Sequence, residues 1–350
     1  MTCRERVARA LAHQPVDVVP YNVGLTFPAR RTMARFYGDP DFERKIGNSL
    51  ETVSVIRVEW GKRDAAGFYV DEYGTRWDRS IDEDIGRPIP SLTRENFDQF
   101  PWPDPDAPGR FDALKRARRE HPDIFLLMAV DLSLFERAWA LAGMEEFLMA
   151  MVADKGFSGA LLDRIMDVNV RIVRAGLAAC PDVDGVIFGD DFGTQRGLMM
   201  GARLWRELLA PRLARQYEAV RERGKKVFIH SCGKVDDILD DLAEIGVDCF
   251  NPFQPEVTDV FALKERYRGR LAFYGGISTQ QLLPYGSPAE VREKVAELLE
   301  RLGTPGGYIA SPAHAVPGDA PAENIHAMLE VLKGAARALT GGRQPLEDVG

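Results

Sequence analysis

Short apolar runs alternate with longer amphipathic stretches along most of this chain. From about residue 111 onward the runs are well separated, and they predict the strands "DIFLLMAV", "DGVIFGDD", "KVFIHSCG", "CFNPFQPE", "LAFYGGIS" and "GGYIASPAH". The segments between them have the apolar spacing of helices. The predicted strands are apolar on both faces, which is typical of a parallel sheet covered by helices.

The first 110 residues are less regular. Thr2 and Glu5 form a capping box that predicts a first helix through about Ala12. The run "VDVVPYNVG" predicts a buried strand, and residues 29–52 are predicted to be helical with a break at "YGDPD". The stretch "FYVDEYGTRWDRS" alternates about Gly74 and predicts a β-hairpin. The proline-rich stretches "RPIPSL" and "FPWPDPDAPGRF" favour surface or lid segments.

This order of elements favours a (β/α)8 TIM barrel with an N-terminal helical segment and a β-hairpin insertion. With "VVPYNVG" and "TVSVIRVEW" counted, the strands number about eight, which is enough to close such a barrel. An open doubly wound sheet is the alternative, but the first strand-to-helix turn lacks G-x-G-x-x-G, so dinucleotide binding has no support. We therefore predict one barrel domain over residues 1–340, a hairpin and lid excursion over about 60–110, and a loose tail over 341–350.

The net charge and the cysteine content limit which partners and which cellular compartment are expected for this protein. The formal net charge of -8 and the isoelectric point near 5.4 argue against nucleic acid, whose phosphates require a basic surface. The four cysteines, at positions 3, 180, 232 and 249, show no disulfide framework. The opening residues are charged and lack the apolar core of a signal peptide, and no apolar run reaches the roughly 20 residues of a membrane span. We expect a soluble protein of the reducing cytoplasm.

The candidate chemistry lies where the apolar runs stop. In a barrel, working side chains sit at the carboxyl ends of the strands. The polar residues at these ends are Tyr21, Asn22, Asp131, Asp190, Asp191, His230, Cys232, Asn251, Gln254, Glu256, Tyr274, Ser311 and His314.

His230 and Cys232 are the most informative pair. Residues i and i+2 of a strand point to the same face. An imidazole and a thiolate together suit Zn²⁺, which prefers nitrogen and sulfur donors. A third donor must come from elsewhere, and His314 after the last strand is the best candidate. The alternative is a packed histidine beside an inert buried cysteine.

The carboxylates allow two interpretations. Because adjacent strand residues point to opposite faces, only one of Asp190 and Asp191 is expected to enter the barrel. That carboxylate could bind a substrate cation or act as acid or base, and the alternative is a turn or helix-capping residue. Gln254 and Glu256 lie on a loop stiffened by two prolines, where they could be functional or structural. Any of the three carboxylates could add an oxygen to a metal site.

At these residues the chain resembles the uroporphyrinogen decarboxylase superfamily, and within it the cobamide-dependent methyltransferase branch. The resemblance covers nearly the whole chain, through "MTCRERVARALAHQPVDVVPYN", "DEYGTRW", "FPWPDPD", "HSCGKVDDILDDLAEIGVDCFNPFQPE", "FYGGISTQQLL" and "ASPAHAVPGDAPAENIHAM". The portions "HSCG" and "PAENIHAM" are the most specific. The resemblance implies a (β/α)8 barrel, in agreement with the independent count of strands.

The resemblance also implies a zinc site. The methyltransferase branch has a His-x-Cys and a distant cysteine that bind zinc, and His230 and Cys232 match the first two. The distant cysteine belongs to a pattern S-P-G-C-G that falls on residues 311–315, where His314 stands in its place. The decarboxylase branch has an Arg-Gln-Ala-Gly-Arg segment after the first strand. Here Arg30 and Arg31 are present in "YNVGLTFPARRTMARFYG", but the motif is not.

The resemblance therefore implies a zinc-dependent methyltransferase that works with a corrinoid (cobamide), either as substrate or carried on a partner protein. The methyl group would pass to or from a small thiol or methoxy compound. We assign His230, Cys232 and His314 to the metal, Asp190, Asp191 and Glu256 to catalysis, and Tyr21, Asn22, Gln254 and Tyr274 to substrate binding. The alternatives are a metal-free carboxy-lyase, in which Asp190 or Asp191 stabilises a protonated intermediate, and a non-enzymatic barrel subunit that binds a corrinoid protein. The hairpin and lid could also serve a homodimer.

Overall fold

The computed structural model of the protein describes residues 1–56, 58–84 and 86–339, with the main chain alone at 58–62 and 335–339. The chain forms two compact units. We call Glu51–Asn251 the central unit, and Met1–Leu50 with Pro252–Gly350 the terminal unit. The predicted tail at 341–350 lies outside the described residues, and a single domain over 1–340 stays a prediction.

Helices and parallel strands alternate through most of the described chain, which confirms the α/β class. The α-helices are α1 Cys3–Leu11, α2 Phe27–Tyr37, α3 Asp112–Glu120, α4 Phe135–Ala142, α5 Met144–Ala153, α6 Lys155–Ala179, α7 Ala202–Leu208, α8 Ala210–Arg221, α9 Leu239–Glu244, α10 Val260–Arg266, α11 Leu282–Tyr285, α12 Pro288–Gly303 and α13 Ala322–Leu339. The strands are β1 Leu50–Ser54, β2 Val58–Arg63, β3 Tyr69–Asp71, β4 Arg76–Asp78, β5 Arg87–Ile89, β6 Phe125–Val130, β7 Gly185–Gly189, β8 Gly193–Thr194, β9 Gly197–Leu198, β10 Lys226–His230, β11 Cys249–Phe253, β12 Ala272–Ile277 and β13 Tyr308–Pro312. Short 3₁₀ turns occupy Phe42–Lys45, Phe97–Gln99 and Asp236–Ile238.

A parallel ladder forms the core of the central unit. β6 pairs with β7, β7 pairs with β10, and β10 pairs with β11. All six residues of β6 are buried, as expected for a parallel strand covered on both faces. The register sets His230, the last residue of β10, opposite Gly189 of β7 on one side and Asn251 of β11 on the other. The ladder therefore brings the carboxyl ends of β7 and β10 together beside Asn251, in the middle of β11.

The long helix α6 supports this ladder through one apolar face. Its buried residues Leu161, Ile165, Val168 and Ile172 are spaced by three or four positions, so they line up on one side of the helix. The side chain of Asp154 caps the start of α6 by accepting the backbone N–H of Phe157 at 3.1 Å. The amphipathic pattern predicted in this region of the sequence is thus confirmed.

An antiparallel sheet, β2 to β5, occupies part of the segment that was interpreted as a hairpin and lid. β3 and β4 pair antiparallel, with Tyr69 opposite Trp77. Asp71 at the end of β3 is buried, accepts a hydrogen bond from the Trp77 indole at 3.2 Å, and pairs with Arg137 of α4 at 2.5 Å. The Arg137 guanidinium also lies over the Tyr73 ring, 4.2 Å from its centroid. This buried ion pair joins the antiparallel sheet to α4.

The terminal unit contains the parallel pair β12 and β13, together with α1, α2 and α10 to α13. The capping box of Thr2 and Glu5 is present at the start of α1, as predicted. The predicted strand "VDVVPYNVG" is wrong: the segment makes only isolated parallel bridges at Tyr21 and Leu25. Pro20 has no N–H to donate, so the ladder there reduces to individual bonds around Tyr21.

The described residues do not test closure of an eight-stranded barrel, which stays a prediction. Two helices, α4 and α11, were not predicted from the sequence. Among the described residues, none of the helices combines the length and the apolar character that crossing a bilayer requires.

We predict that Arg137→Met lowers the free energy of unfolding by about 3–5 kcal/mol, because it leaves the Asp71 carboxylate buried without its cation while keeping most of the side-chain volume. Urea denaturation followed by circular dichroism measures the change. Arg174→Met is the control, since its pair with Glu222 is exposed and should contribute less than about 1 kcal/mol. Equal effects of the two substitutions would contradict a stabilising role for the buried pair.

Candidate metal centre

His230 is held in one orientation by a neighbouring strand. Its Nδ1 lies 2.6 Å from the Asn251 side-chain oxygen. An amide oxygen can only accept, so Nδ1 carries the hydrogen and Nε2 keeps its lone pair. Nε2 in turn lies 3.4 Å from the Cys232 sulfur. The structure thus brings together the two residues that the sequence proposed as metal ligands.

The turn that carries Cys232 is tightly packed. The Cys232 backbone N–H donates to Asp191 Oδ1 at 2.7 Å, and the Ser231 backbone N–H donates to the Asn251 carbonyl at 2.7 Å. Gly233 has φ +83°, and a Cβ there would lie 2.6 Å from the Gly193 carbonyl carbon. Only glycine fits this turn, because it allows both the left-handed backbone and the close approach.

The donor pair fits the coordination chemistry of zinc. Zn–N bonds of about 2.0–2.1 Å and Zn–S bonds of about 2.3 Å in a tetrahedral site separate the two ligand atoms by about 3.6 Å. The observed separation of His230 Nε2 and Cys232 Sγ is 3.4 Å. These two side chains could hold a zinc ion with only a small adjustment.

Asp190 and Asp191 have different surroundings, as expected for adjacent residues. Asp190 is fully buried, and its carboxylate accepts the backbone N–H groups of Phe135 at 3.1 Å and Glu136 at 2.7 Å. It caps helix α4, whose own first residues provide no side-chain cap. Burial raises the pKa of Asp190 to about 7, against the lowering effect of these hydrogen bonds. Asp191 is 30% exposed, and its Oδ1 lies 3.9 Å from His230 Nε2.

Glu136 is a site residue that the sequence analysis missed. Its carboxylate accepts the backbone N–H of Asp191, while its own N–H donates to Asp190. Burial first, and then the charges of Asp191 and Asp190, raise the pKa of Glu136 well above its usual value. Burial, followed by the charges of Asp191 and Glu136, also raises the pKa of the Cys232 thiol. A glutamate in the first turn after strand β6 was the available signal, but α4 itself had not been predicted.

Four predicted substrate-binding residues lie in the terminal unit. The Tyr21 hydroxyl donates to the Ile46 carbonyl at 2.7 Å, so it has a structural partner. The Asn22 side-chain amide donates to the Tyr274 hydroxyl at 2.7 Å, which brings these two residues together. Gln254 is buried. These contacts do not test whether the four residues bind a substrate, so their assignment to substrate binding stays a prediction.

Glu256 and His314 are also in the terminal unit. Glu256 Oε1 accepts from the Ser278 hydroxyl at 2.5 Å and from the Gln280 backbone N–H at 3.3 Å. Its second oxygen, Oε2, is buried and has no hydrogen-bond partner among the described residues. His314 is exposed and lies two residues after the end of β13. Its role as a metal ligand stays a prediction.

Known proteins resemble this chain over most of its length. A model of the uroporphyrinogen decarboxylase (URO-D) family matches residues 2–335. A curated uroporphyrinogen decarboxylase of Methylococcus capsulatus is 27% identical over 177 residues, covering 49% of this chain and 47% of the relative. A curated methylated-thiol–coenzyme M methyltransferase of Methanosarcina mazei is 22% identical over 254 residues, covering 70% of this chain and 65% of the relative. The chain thus spans about half and about two thirds of the lengths of these relatives.

A solved structure has the same fold. It is described as a methyltransferase from Methanosarcina mazei, and it superposes with a TM-score of 0.67 at 17% sequence identity. The match covers 96% of this chain and 100% of that chain. At this identity the likeness establishes the fold and carries no argument about the reaction.

We predict that Asp190→Ala lowers the free energy of unfolding by about 1–2 kcal/mol, because two backbone N–H groups of helix α4 lose their cap. Asp190→Asn keeps a side-chain oxygen and should lose less. Urea denaturation measures both, with Asp123→Ala at an exposed position as the control. If Asp190→Ala matches the control, the cap does not stabilise α4.

Proposed function

This chain belongs to the uroporphyrinogen decarboxylase family, which confirms the resemblance found in its sequence, and from that membership we propose that it is a zinc-dependent methyltransferase. The reaction transfers a methyl group between a corrinoid, bound as substrate or carried on a partner protein, and a small thiol or methoxy compound. The observation that carries the proposal is the 3.4 Å separation of His230 Nε2 and Cys232 Sγ, which suits a tetrahedral zinc ion.

In this proposal His230 and Cys232 hold the metal, and His314 supplies the third donor. Two imidazoles and one thiol are a donor set that could hold a metal ion, and nitrogen and sulfur donors suit zinc. A catalytic zinc site keeps one position open for substrate. When bound, zinc supplies Lewis-acid chemistry that lowers the pKa of a coordinated thiol or hydroxyl.

The residues around the donor pair prepare it for the metal. Asn251 accepts the hydrogen of His230 Nδ1, so the ring offers Nε2 without having to rotate or lose a proton. Asp191 accepts the Cys232 backbone N–H and so fixes the turn that directs the thiol. Preorganised donors of this kind avoid the cost of ordering side chains when the metal binds.

The remaining assignments concern the substrate. Tyr21, Asn22, Gln254 and Tyr274 are assigned to the pocket lining, and Asp190, Asp191 and Glu256 to catalysis. Support for Glu256 comes from its buried Oε2, which has a hydrogen-bonding capacity that no described residue satisfies. A substrate hydroxyl or a water molecule could donate to it. The closed (β/α)8 barrel, the corrinoid partner, a homodimer and a cytoplasmic location belong to the same proposal.

A metal-free carboxy-lyase is the second candidate. It is favoured by the curated decarboxylase of Methylococcus capsulatus, which is 27% identical over 177 residues. In that case Asp190 or Asp191 would stabilise a protonated intermediate, and His230 and Cys232 would be packing residues. A barrel that only binds a corrinoid protein is the third candidate, and it predicts a stable complex without turnover.

We predict that the purified protein binds about one zinc ion per chain and that His230→Ala and Cys232→Ala each weaken zinc affinity by more than about 100-fold, because each removes a direct ligand. Competition with a chromophoric chelator measures the affinity. His121→Ala is the control, since this exposed histidine pairs with Glu51 far from the donors in sequence. A protein that takes up no more zinc than the double variant lacking His230 and Cys232 would contradict the proposal and favour the carboxy-lyase.

His314 is tested separately. We predict that His314→Ala weakens zinc affinity by about 10- to 100-fold, and that His314→Cys restores it, because a thiolate also coordinates zinc. Cobalt substitution gives a second readout, since Co²⁺–thiolate absorption should increase in the cysteine variant. Unchanged affinity in His314→Ala would show that the third donor lies elsewhere.

We also predict that Asn251→Ala weakens zinc affinity by about 10- to 100-fold, because the His230 ring loses the acceptor that fixes its tautomer. Asn251→Asp keeps an oxygen acceptor and should retain most of the affinity. The same chelator competition measures both variants, with urea denaturation as a check on folding. Equal affinities for Asn251→Ala and the unaltered protein would rule out this orienting role.

A further inference from the structure

A cavity of about 390 Å³ lies within the terminal unit, between the end of α2, the 3₁₀ turn that follows it and helix α13. This volume is in the range of about 300–1,000 Å³ that is typical of sites for small molecules. The apolar side chains of Phe42, Ile46 and Leu329 line the cavity and are themselves almost fully buried. None of the residues that line it is assigned to the metal, to catalysis or to substrate binding.

Aromatic rings form one wall of this cavity. The centroids of the Tyr37 and Phe42 rings are 5.6 Å apart, and their planes are inclined by 35°. The imidazole of His326, on α13, lies 5.7 Å from the Tyr37 ring at an angle of 65°. Flat aromatic ligands pack well against such rings, both face to face with an offset and edge to face.

A hydrogen-bond donor belongs to the same wall. The Tyr37 hydroxyl lies 2.8 Å from His326 Nδ1. Burial, and then the charge of Glu330, raise the pKa of Tyr37, so the phenol keeps its hydrogen. When the phenol donates to Nδ1, the other ring nitrogen, Nε2, carries a hydrogen of its own. Nε2 lies 3.6 Å from Glu330 Oε1, which is longer than a normal hydrogen bond, so it is able to donate to a ligand.

The charges around the cavity favour an anion. Two lysines, Lys45 and Lys333, line it together with two carboxylates, Asp39 and Glu330. Both carboxylates already have cationic partners: Asp39 pairs with Lys45 at 2.7 Å, and Glu330 pairs with Arg292 of α12 at 2.6 Å. These groups carry one more positive than negative charge. A ligand cation would therefore have to compete with existing ion pairs, whereas a ligand anion would be attracted.

We propose that this cavity is a second binding site of the protein and that its ligand is a small aromatic carboxylate. The aromatic ring packs against Tyr37 and Phe42. The carboxylate accepts the hydrogen of His326 Nε2 and lies near the ammonium groups of Lys45 and Lys333. The inference goes beyond the proposed function and does not depend on it, because no residue of the cavity takes part in metal binding or methyl transfer.

Three indole compounds that share a ring and a two-carbon side chain test the proposal. Indole-3-acetate is anionic, indole-3-ethanol is neutral and tryptamine is cationic. Each is titrated into the full chain, and ligand-observed NMR gives the dissociation constants. The titrations are repeated with zinc-loaded protein and with the double variant that lacks His230 and Cys232, so that a carboxylate coordinated to zinc is not mistaken for a ligand of the cavity.

We expect indole-3-acetate to bind with a dissociation constant of about 0.1–1 mM, as is usual for a ligand of this size. It should bind about three- to tenfold more tightly than indole-3-ethanol, and tryptamine should bind most weakly. Lys45→Gln and Lys333→Gln should each reduce this preference by about threefold and leave the affinity for indole-3-ethanol unchanged. Lys155→Gln is the matched control, because Lys155 also pairs with an exposed carboxylate, that of Glu207, and should leave the preference unaltered.

Gly334→Phe tests the position of the site. Gly334 lines the cavity, and a Cβ there would have no neighbour within 4 Å among the described residues outside its own stretch of helix, so a larger side chain fits without a clash. We expect all three indoles to bind at least about fivefold more weakly to this variant, because the phenyl ring occupies space that the ligand needs.

The possible outcomes separate this inference from the proposed function. No binding of any of the indoles at about 10 mM would overturn it, as would a preference for tryptamine. A preference for indole-3-acetate that is the same in Lys45→Gln, Lys333→Gln and the control would also overturn it. Binding that disappears in the double variant lacking His230 and Cys232 would place the ligand at the donor pair instead. Failure to take up zinc contradicts only the proposed function.

Discussion

The hydrogen bond between His230 Nδ1 and the Asn251 side chain is the interaction on which the candidate site depends. It exists because β10 and β11 pair in a parallel register that sets His230, at the carboxyl end of β10, beside Asn251 in the middle of β11. A shift of one residue would turn every side chain of β10 to the other face. The register is in turn fixed by the buried apolar residues of the ladder, so the orientation of one imidazole is a consequence of the packing of the whole central core.

The features that could be predicted from the sequence are those determined by residues close together along the chain. Buried parallel strands such as β6 and β10 are continuous apolar runs, and the capping box of α1 lies within four residues, so all three were predicted correctly. The pair His230 and Cys232 was recognisable because both residue types are rare in this chain and stand two apart at a strand end. These signals depend on neighbours along the chain, which a single sequence displays directly.

The failures occurred where the determining partner is distant. Helix α4 has only eight residues and no side-chain cap of its own, because Asp190, more than fifty positions later, supplies the cap. Its glutamate at position 136 was therefore overlooked. The opposite error arose at "VDVVPYNVG", where an apolar run with strand character contains Pro20 and forms only isolated bridges. Neither outcome can be obtained from spacing alone, since each depends on which segments meet in the folded protein.

The buried ion pair of Asp71 and Arg137 connects the antiparallel sheet to the helix that borders the candidate metal site. Arg137 anchors that sheet, and the preceding residue, Glu136, bonds to the turn beside the zinc donors. Arg137 and Glu136 are adjacent on helix α4 but contact different parts of the central unit. A change in the antiparallel sheet or in the turn at Asp191 therefore also affects α4. A chimaera that takes residues 58–89 from one relative and residues 135–142 from another would lose the matched Asp71–Arg137 pair. We therefore expect these two segments to be inherited together.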